Sequence, residues 1–213
     1  MRPASQPATQ SALPFEKEIL AFEQADAARP PSPGGIVFVG SSSIRLWKTL
    51  EQDFADLPVI NRGFGGSQVA DSVRYADRVV LPYRPKTVVL YAGDNDIANG
   101  KSPEQVFSDF QAFVNKIHRA LPDTRVLYIA IKPSVARWHL VDRIREANRL
   151  IADYSRTDDR LGYIDTFTPM LGPDGQPRAD LLVGDGLHLN EAGYALWTSI
   201  VRPHLSTPSA ADE

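Results

Sequence analysis

Short apolar runs of strand length alternate along this chain with longer segments whose apolar residues recur every three or four positions. The apolar runs predict five strands, at 36–39, 57–60, 86–92, 125–131 and 161–164. The periodic segments predict helices at about 15–28, 44–54, 67–79, 103–121, 138–154 and 191–202. Strands joined by helical crossovers indicate a parallel sheet that is covered on both faces, in an α/β fold with three layers.

Small polar residues follow each of the first three predicted strands. They form the segments Gly40–Ser43, Asn61–Ser67 and Gly93–Asp96. The carboxyl ends of parallel strands lie side by side, and ligands of open α/β sheets bind at that edge. We expect a fourth segment, Val183–Asn190, to reach the same edge from the loop before the last helix.

The residue types in these four segments suit acyl transfer. A serine becomes a nucleophile when a neighbouring base takes its proton, and a histidine does this when an acceptor holds its other ring nitrogen. Asp185 and His188 are three residues apart, a spacing that can bring the carboxylate beside Nδ1 and leave Nε2 for a serine. The serines at 41–43 have the alternative role of capping the helix that follows them.

Acyl transfer also needs hydrogen-bond donors for the oxyanion of the intermediate. Backbone N–H groups beside the nucleophile and at a glycine suit this role, as does the amide of an asparagine. The second and third polar segments contain both kinds of group.

In this order, the four segments resemble the sequence blocks of the SGNH (GDSL) esterase and lipase superfamily over about residues 36–202. Gly40-Ser41-Ser42-Ser43 aligns with the family's Gly-Asp-Ser-Leu block, which places the nucleophile at Ser42. The resemblance implies a catalytic Asp185 and His188 and an oxyanion hole made by Ser42, Gly66 and Asn95, with Gly65 as the alternative glycine. It also implies a three-layer α/β/α sandwich, with a flavodoxin-like five-stranded parallel sheet in the order 2-1-3-4-5, and no cofactor.

Three residues depart from the usual blocks. Ser41 and Ser43 stand where the first block has aspartate and leucine, so they remain alternative nucleophiles. Asp94 stands where small or hydroxyl residues are frequent, and we expect its carboxylate to point away from the oxyanion. Asp94 and Asp96 are also conceivable as a glycosidase pair, but structural hydrogen bonding is favoured.

Other residues near the predicted strand ends are candidates for contacts with substrate. Arg137 and Trp138 follow the fourth strand, and we predict that they face the substrate. Arg45 and Trp47 are expected to brace the first helix after the nucleophile. Arg62 is a further candidate at the border of the site.

Composition excludes several classes of function. The 213 residues carry a formal net charge of −3, which does not suggest binding to nucleic acid or to anionic membranes. The chain has no cysteine, its four histidines lack metal-ligand spacing, and no apolar run approaches a membrane span, so we predict no metal and no membrane span.

The ends of the chain differ in composition from its centre. Residues 1–13 predict a disordered tail, residues 14–205 one domain with an N-terminal helical arm, and residues 206–213 a flexible tail. The N-terminus has no apolar signal region, which favours a cytoplasmic location unless a native leader was removed.

These patterns and the resemblance together predict a serine hydrolase that cleaves carboxylic esters, with short-acyl or acetyl esters as the expected substrates. We expect a small-molecule ester as its partner and a monomer or homodimer as its assembly. The alternative is a non-catalytic module that binds carbohydrate or protein on the same fold.

Overall fold

The five strands of the protein form one parallel sheet in the order β2-β1-β3-β4-β5. A computed structural model describes residues 13–205. Its strands are β1 (Ile36–Gly40), β2 (Val59–Gly63), β3 (Thr87–Tyr91), β4 (Arg125–Ile129) and β5 (Leu161–Ile164). The predicted fold class and strand order are therefore confirmed.

Helices cover both faces of the sheet. In chain order they are α1 (Glu16–Ala28), α2 (Ser42–Arg45), α3 (Leu50–Asp53), α4 (Val69–Val79), α5 (Asp94–Ala98), α6 (Pro103–Ala120), α7 (Val141–Ser155) and α8 (Glu191–Leu205). Short 3₁₀ turns lie at 81–83, 138–140, 168–170 and 179–181. One apolar core joins the sheet to α1, α4, α6 and α7, and a second joins its other face to α2, α3 and α8.

The predicted helix at 44–54 is instead two four-residue helices, α2 and α3. Side-chain hydrogen bonds hold the segment between them. The Asn61 amide donates to the carbonyl of Ile44 at 2.7 Å, and the Trp47 indole donates to the Asp53 carboxylate at 2.6 Å. The apolar period of this segment therefore reflects burial against the sheet and not a continuous helix.

Strand β2 begins and ends later than its apolar run predicts. Asn61, Arg62 and Gly63 were expected to close the strand, yet they pair with Phe38, Val39 and Gly40 of β1. The backbone of β1 offers a full parallel partner, so pairing continues through residues of low strand propensity.

Arg62 does not border the candidate site, and that prediction is wrong. Its guanidinium binds the Asp26 carboxylate of α1 at 2.5 Å and the Tyr83 hydroxyl at 2.7 Å. Arg78 of α4 binds Glu16 and Glu23 of α1. These ion pairs attach α1 to α4 and to the edge strand β2.

Residues 1–12 and 206–213, where tails were predicted, lie outside the described residues. Between residues 13 and 205, no helix is both long and apolar enough to cross a bilayer. That same range contains no group of three or more His, Asp or Glu side chains arranged to hold a metal ion.

Candidate active site

The carboxyl ends of the adjacent strands β2, β1 and β3 meet as the polar segments predict. Gly40 is in register with Gly63 of β2 and with Tyr91 of β3. Just beyond, the Ser41 N–H donates to the carbonyl of Tyr91 at 2.8 Å, and the Phe64 N–H donates to the carbonyl of Gly40 at 2.9 Å. Three segments that are distant in sequence thus begin within hydrogen-bond reach of one another.

Gly40 permits this close approach. Its φ is +129°, and a Cβ at this position would lie 1.9 Å from the carbonyl oxygen of Tyr91. Any side chain would push β1 away from β3 and displace the serines that follow.

Ser42 is the first residue of α2 and is partly accessible to solvent. The helix is held from two sides. Asn61 binds the carbonyl of Ile44, and the Tyr194 hydroxyl of α8 donates to the carbonyl of Ser43 at 2.9 Å. The Ser42 side chain therefore projects from a braced turn at the edge of the sheet.

His188 links Ser42 to Asp185 through its two ring nitrogens. Its Nε2 lies 3.1 Å from the Ser42 Oγ, and its Nδ1 lies 2.6 Å from Oδ2 of Asp185. The other carboxylate oxygen accepts the N–H groups of Leu187 and His188 at 2.8 and 2.9 Å. Asp185 and His188, paired by their spacing, and Ser42, implied as the nucleophile by the family resemblance, are brought together in one hydrogen-bonded chain.

These hydrogen bonds keep Asp185 ionised. The bond with the His188 side chain, helped by the two backbone N–H groups, lowers the pKa of Asp185 from 3.8 to about 2. A carboxylate facing Nδ1 favours the tautomer with a proton on Nδ1 and leaves Nε2 as the acceptor for the Ser42 hydroxyl.

The loop that carries Asp185 and His188 is closed by its own backbone. The Val183 N–H donates to the carbonyl of His188 at 2.8 Å, and Gly186 turns the chain with a φ of +64°. Asn190 then caps α8, since its side chain accepts the Gly193 N–H at 3.0 Å.

The predicted oxyanion donors lie at the same edge. The Asn95 amide nitrogen donates to the Ser41 Oγ at 2.7 Å and to the carbonyl of Ser67 at 3.1 Å. It thereby joins the first and second polar segments. Gly66 is exposed, and its φ of +81° turns the loop, whereas Gly65 lies against the Arg45 guanidinium.

Neither of the two serines that flank Ser42 makes a side-chain cap hydrogen bond to α2. Ser41 stands at the N-cap of α2, but its side chain makes no cap hydrogen bond and accepts the Asn95 amide instead. Ser43 is buried, and its Oγ has no hydrogen-bond partner among residues 13–205. The expectation that one of them caps the helix is therefore wrong.

Asp96 has the structural role that was favoured for it. It is completely buried, and its carboxylate accepts the Val69 N–H and pairs with Lys101 at 3.0 Å. Burial raises the pKa of Asp96. This arrangement ties α5 to the start of α4.

Asp94 is also buried, beside two cations. Its Oδ2 lies 3.0 Å from Nη1 of Arg137 and 3.7 Å from Nζ of Lys132. The negative charge of Asp94 is therefore balanced by two neighbouring cations. The orientation expected for this carboxylate, away from the oxyanion, would not by itself balance its charge. The sequence analysis did not single out Lys132, although a lysine at the end of an apolar strand run is a signal that could have identified it. Burial lowers the pKa of Lys132.

Arg137 and Trp138 face different surroundings. Nη2 of Arg137 donates to the Oδ1 of Asn95 at 2.9 Å, so its guanidinium reaches the candidate oxyanion donor. Trp138 packs against the larger apolar core, with the Arg145 guanidinium 5.6 Å from its ring centroid. Contact of either residue with substrate stays a prediction.

Comparison with known proteins identifies the family. Residues 37–196 match the family model of the GDSL-like lipase/acylhydrolase family. The chain belongs to this family. That membership confirms the resemblance drawn from the four sequence segments and supports hydrolysis of ester bonds.

Individual relatives are more distant. The Homo sapiens platelet-activating factor acetylhydrolase IB subunit alpha1 is 28% identical over 171 residues, which cover 75% of this chain and 70% of that protein. A structure from Streptococcus pneumonia matches with a TM-score of 0.80 and 20% identity, covering 90% of this chain and 92% of that one. A GDSL-like lipase from Bacteroides thetaiotaomicron matches with a TM-score of 0.74 and 18% identity, covering 88% and 96%. The two structures share the fold of this GDSL-family chain.

Proposed function

We propose that this protein is a serine esterase in which Ser42, His188 and Asp185 form the catalytic triad. The observation that carries the proposal is the hydrogen-bonded chain from the Ser42 Oγ through both nitrogens of His188 to Asp185. These contacts are the ones that activate a serine, because the base lies within reach of the hydroxyl and is itself oriented.

The reaction begins when Ser42 attacks the ester carbonyl and His188 Nε2 takes the hydroxyl proton. Asp185 stabilises the imidazolium that forms. The tetrahedral intermediate collapses as His188 returns the proton to the leaving alcohol, and an acyl-enzyme remains on Ser42. Water then attacks the acyl-enzyme with the same base, which releases the carboxylic acid and restores the Ser42 hydroxyl.

The oxyanion is held by the backbone N–H groups of Ser42 and Gly66 and by the Asn95 amide. Ser42 is the first residue of a helix, where N–H groups have no partner within the helix. Asn95 shares its amide with Ser41, so one of its hydrogen bonds shifts to the oxyanion as charge develops. Loss of one such donor typically slows the chemical step by about 10² to 10³.

A short acyl group, acetyl above all, is the proposed specificity. The similarity to a platelet-activating factor acetylhydrolase subunit supports it. The chain also lacks a long apolar segment between the four polar segments that would supply a lid over a long acyl chain.

Hydrolysis of p-nitrophenyl acetate by Ser42→Ala tests the nucleophile. We expect activity and labelling by a fluorophosphonate probe to disappear while the thermal unfolding curve is unchanged. The matched control is Ser199→Ala, an exposed serine of α8, which should keep both. Full activity in Ser42→Ala would remove Ser42 from the mechanism and leave Ser41 and Ser43 as candidates.

A series of p-nitrophenyl esters from acetate to octanoate tests the acyl group. We expect kcat/KM to be highest for the shortest chains, and a maximum at octanoate would overturn the short-acyl assignment. A wild-type protein that neither hydrolyses these esters nor reacts with the probe would favour the non-catalytic binding module.

A further inference from the structure

A charged cluster lies directly behind the candidate oxyanion asparagine. It contains Asp94, which is 4% exposed, Lys132, which is 1% exposed, and the Arg137 guanidinium, whose side chain is 18% exposed. The Lys132 ammonium also lies 6.0 Å from the ring centroid of the buried Tyr91. Two cations thus oppose one carboxylate at a place from which water is largely excluded.

Arg137 joins this cluster to the site. It bridges two consecutive residues of α5, with Nη2 bound to the Asn95 Oδ1 at 2.9 Å and Nη1 placed 3.0 Å from Asp94. A guanidinium is a planar fork of donors that cannot accept a hydrogen bond. It therefore requires the amide oxygen of Asn95, and not the amide nitrogen, on its side.

The amide nitrogen of Asn95 must then face the other way. It points to Ser41, the neighbour of the proposed nucleophile, and to the carbonyl of Ser67 in the glycine loop. If the amide were rotated by 180°, its N–H₂ group would face the Arg137 donors and its oxygen would face the oxyanion. Arg137 consequently favours the one orientation of Asn95 that stabilises negative charge.

The charge of Arg137 acts in the same direction. Asp94 immediately precedes Asn95, and an unbalanced carboxylate there would oppose the negative charge that develops on the oxyanion. Arg137 is nearer to that carboxylate than Lys132 is, at 3.0 Å against 3.7 Å. A charged donor on the amide oxygen also polarises the amide and strengthens its N–H groups as donors.

We propose that Arg137 is a positioning residue of the esterase reaction, which orients and polarises Asn95 as an oxyanion donor while it neutralises Asp94. This inference rests on the proposed function. It assigns the guanidinium to the asparagine and to Asp94, and not to the substrate, so its effect belongs in kcat and passes mainly through Asn95.

The test is a double-mutant cycle with p-nitrophenyl acetate, in which Arg137→Met is introduced into the wild type and into Asn95→Ala. In the wild type we expect kcat to fall about 10- to 100-fold, which is below the full loss of a donor, with KM little changed. In Asn95→Ala, the same change should lower kcat by a smaller factor than in the wild type, because the effect on Asn95 is gone and only the neutralisation of Asp94 is lost. The matched control is Arg143→Met, whose guanidinium binds the carbonyls of Gly100 and Lys101.

Arg137→Lys keeps the positive charge but cannot hold Asn95 and Asp94 with one fork. We expect it to recover only part of kcat, and full recovery would overturn the orienting role. This variant also keeps the cycle usable if Arg137→Met fails to fold because Asp94 has lost its nearer cation.

Two other results contradict the proposal. Equal losses of kcat in the wild type and in Asn95→Ala would show that Arg137 acts independently of Asn95. A raised KM with unchanged kcat would assign the guanidinium to substrate binding. Failure of the proposed function itself is separate, since it appears as full activity in Ser42→Ala.

Discussion

Replacing Asp185 by asparagine tests how the hydrogen-bonded chain works. The change keeps the size of the side chain and an oxygen that can accept the backbone N–H groups of Leu187 and His188, which lie 2.8 and 2.9 Å from Oδ1. It alters the contact at 2.6 Å between Oδ2 and Nδ1 of the imidazole. With its oxygen held by the backbone, the new amide presents N–H to Nδ1, which favours the tautomer whose proton is on Nε2. That tautomer cannot accept the proton of Ser42.

The size of the effect follows from the exposure of the pair. The same replacement in a serine protease triad lowers kcat by about 10⁴. Here the Asp185 side chain is 47% exposed and that of His188 is 28% exposed. Solvent partly compensates for the lost carboxylate at such a site, so we expect a loss in kcat on the order of 10³. That loss corresponds to about 4 kcal/mol of transition-state stabilisation.

The assay is steady-state hydrolysis of p-nitrophenyl acetate by Asp185→Asn. Asp180→Asn is the control, because Asp180 lies in the same loop region, is exposed and pairs with Arg178 at 2.7 Å. We expect the control to keep wild-type kcat. A kcat for Asp185→Asn within about tenfold of the wild type would refute the argument that this carboxylate selects the tautomer of His188.

The pH dependence gives a second measurement on the same residue. The folded-state pKa of Asp185 is lowered from 3.8 to about 2, so its stabilising contribution is present above pH 3.8 and is lost as pH falls toward 2. In the wild type, Asp185 should therefore stay ionised above about pH 4 and contribute no ionisation to the kcat/KM profile there.

Two further predictions concern stability. Gly40→Ala should lower the free energy of unfolding, measured with urea, by roughly 3 kcal/mol or more, because its Cβ would lie 1.9 Å from the carbonyl oxygen of Tyr91 at a φ of +129°. The control, Gly175→Ala, has a φ of +73° and open space around it, and should lower that free energy by only about 1 kcal/mol. Equal losses would contradict the steric argument. For Asp96, burial raises the pKa above 3.8, so its contribution to stability is full below pH 3.8 and is lost as pH rises through the folded-state pKa. The Tm of Asp96→Asn, relative to wild type, should therefore improve as pH rises, and the opposite trend would show that the Lys101 ion pair outweighs burial.

The sequence was sufficient to predict the architecture and the order of the polar segments. Apolar runs that alternate with helical periods specify which residues are buried, and that pattern is local. The Asp185–His188 pair was predictable for the same reason, since four consecutive residues of one loop carry both partners and the backbone that binds them.

Local patterns failed where long-range contacts decide the structure. Asn61 holds a turn of α2 that lies 17 residues earlier in the chain, which breaks the helix that the apolar period predicts. Arg62 follows a predicted strand and therefore resembled a site residue. Its guanidinium instead pairs with the Asp26 carboxylate of α1, which the sequence pattern does not reveal.

By itself, the sequence determined the parallel α/β fold, the four segments at the strand ends and the spacing of Asp185 and His188. Only the tertiary structure decided that Nε2 of His188 contacts Ser42, which lies 146 residues earlier in the chain. It also decided that Arg137, in the loop after β4, contacts both Asn95 and Asp94. The physical reason is that periodicity encodes burial. The direction and charge balance of a polar side chain depend on which distant groups surround it once the sheet has formed.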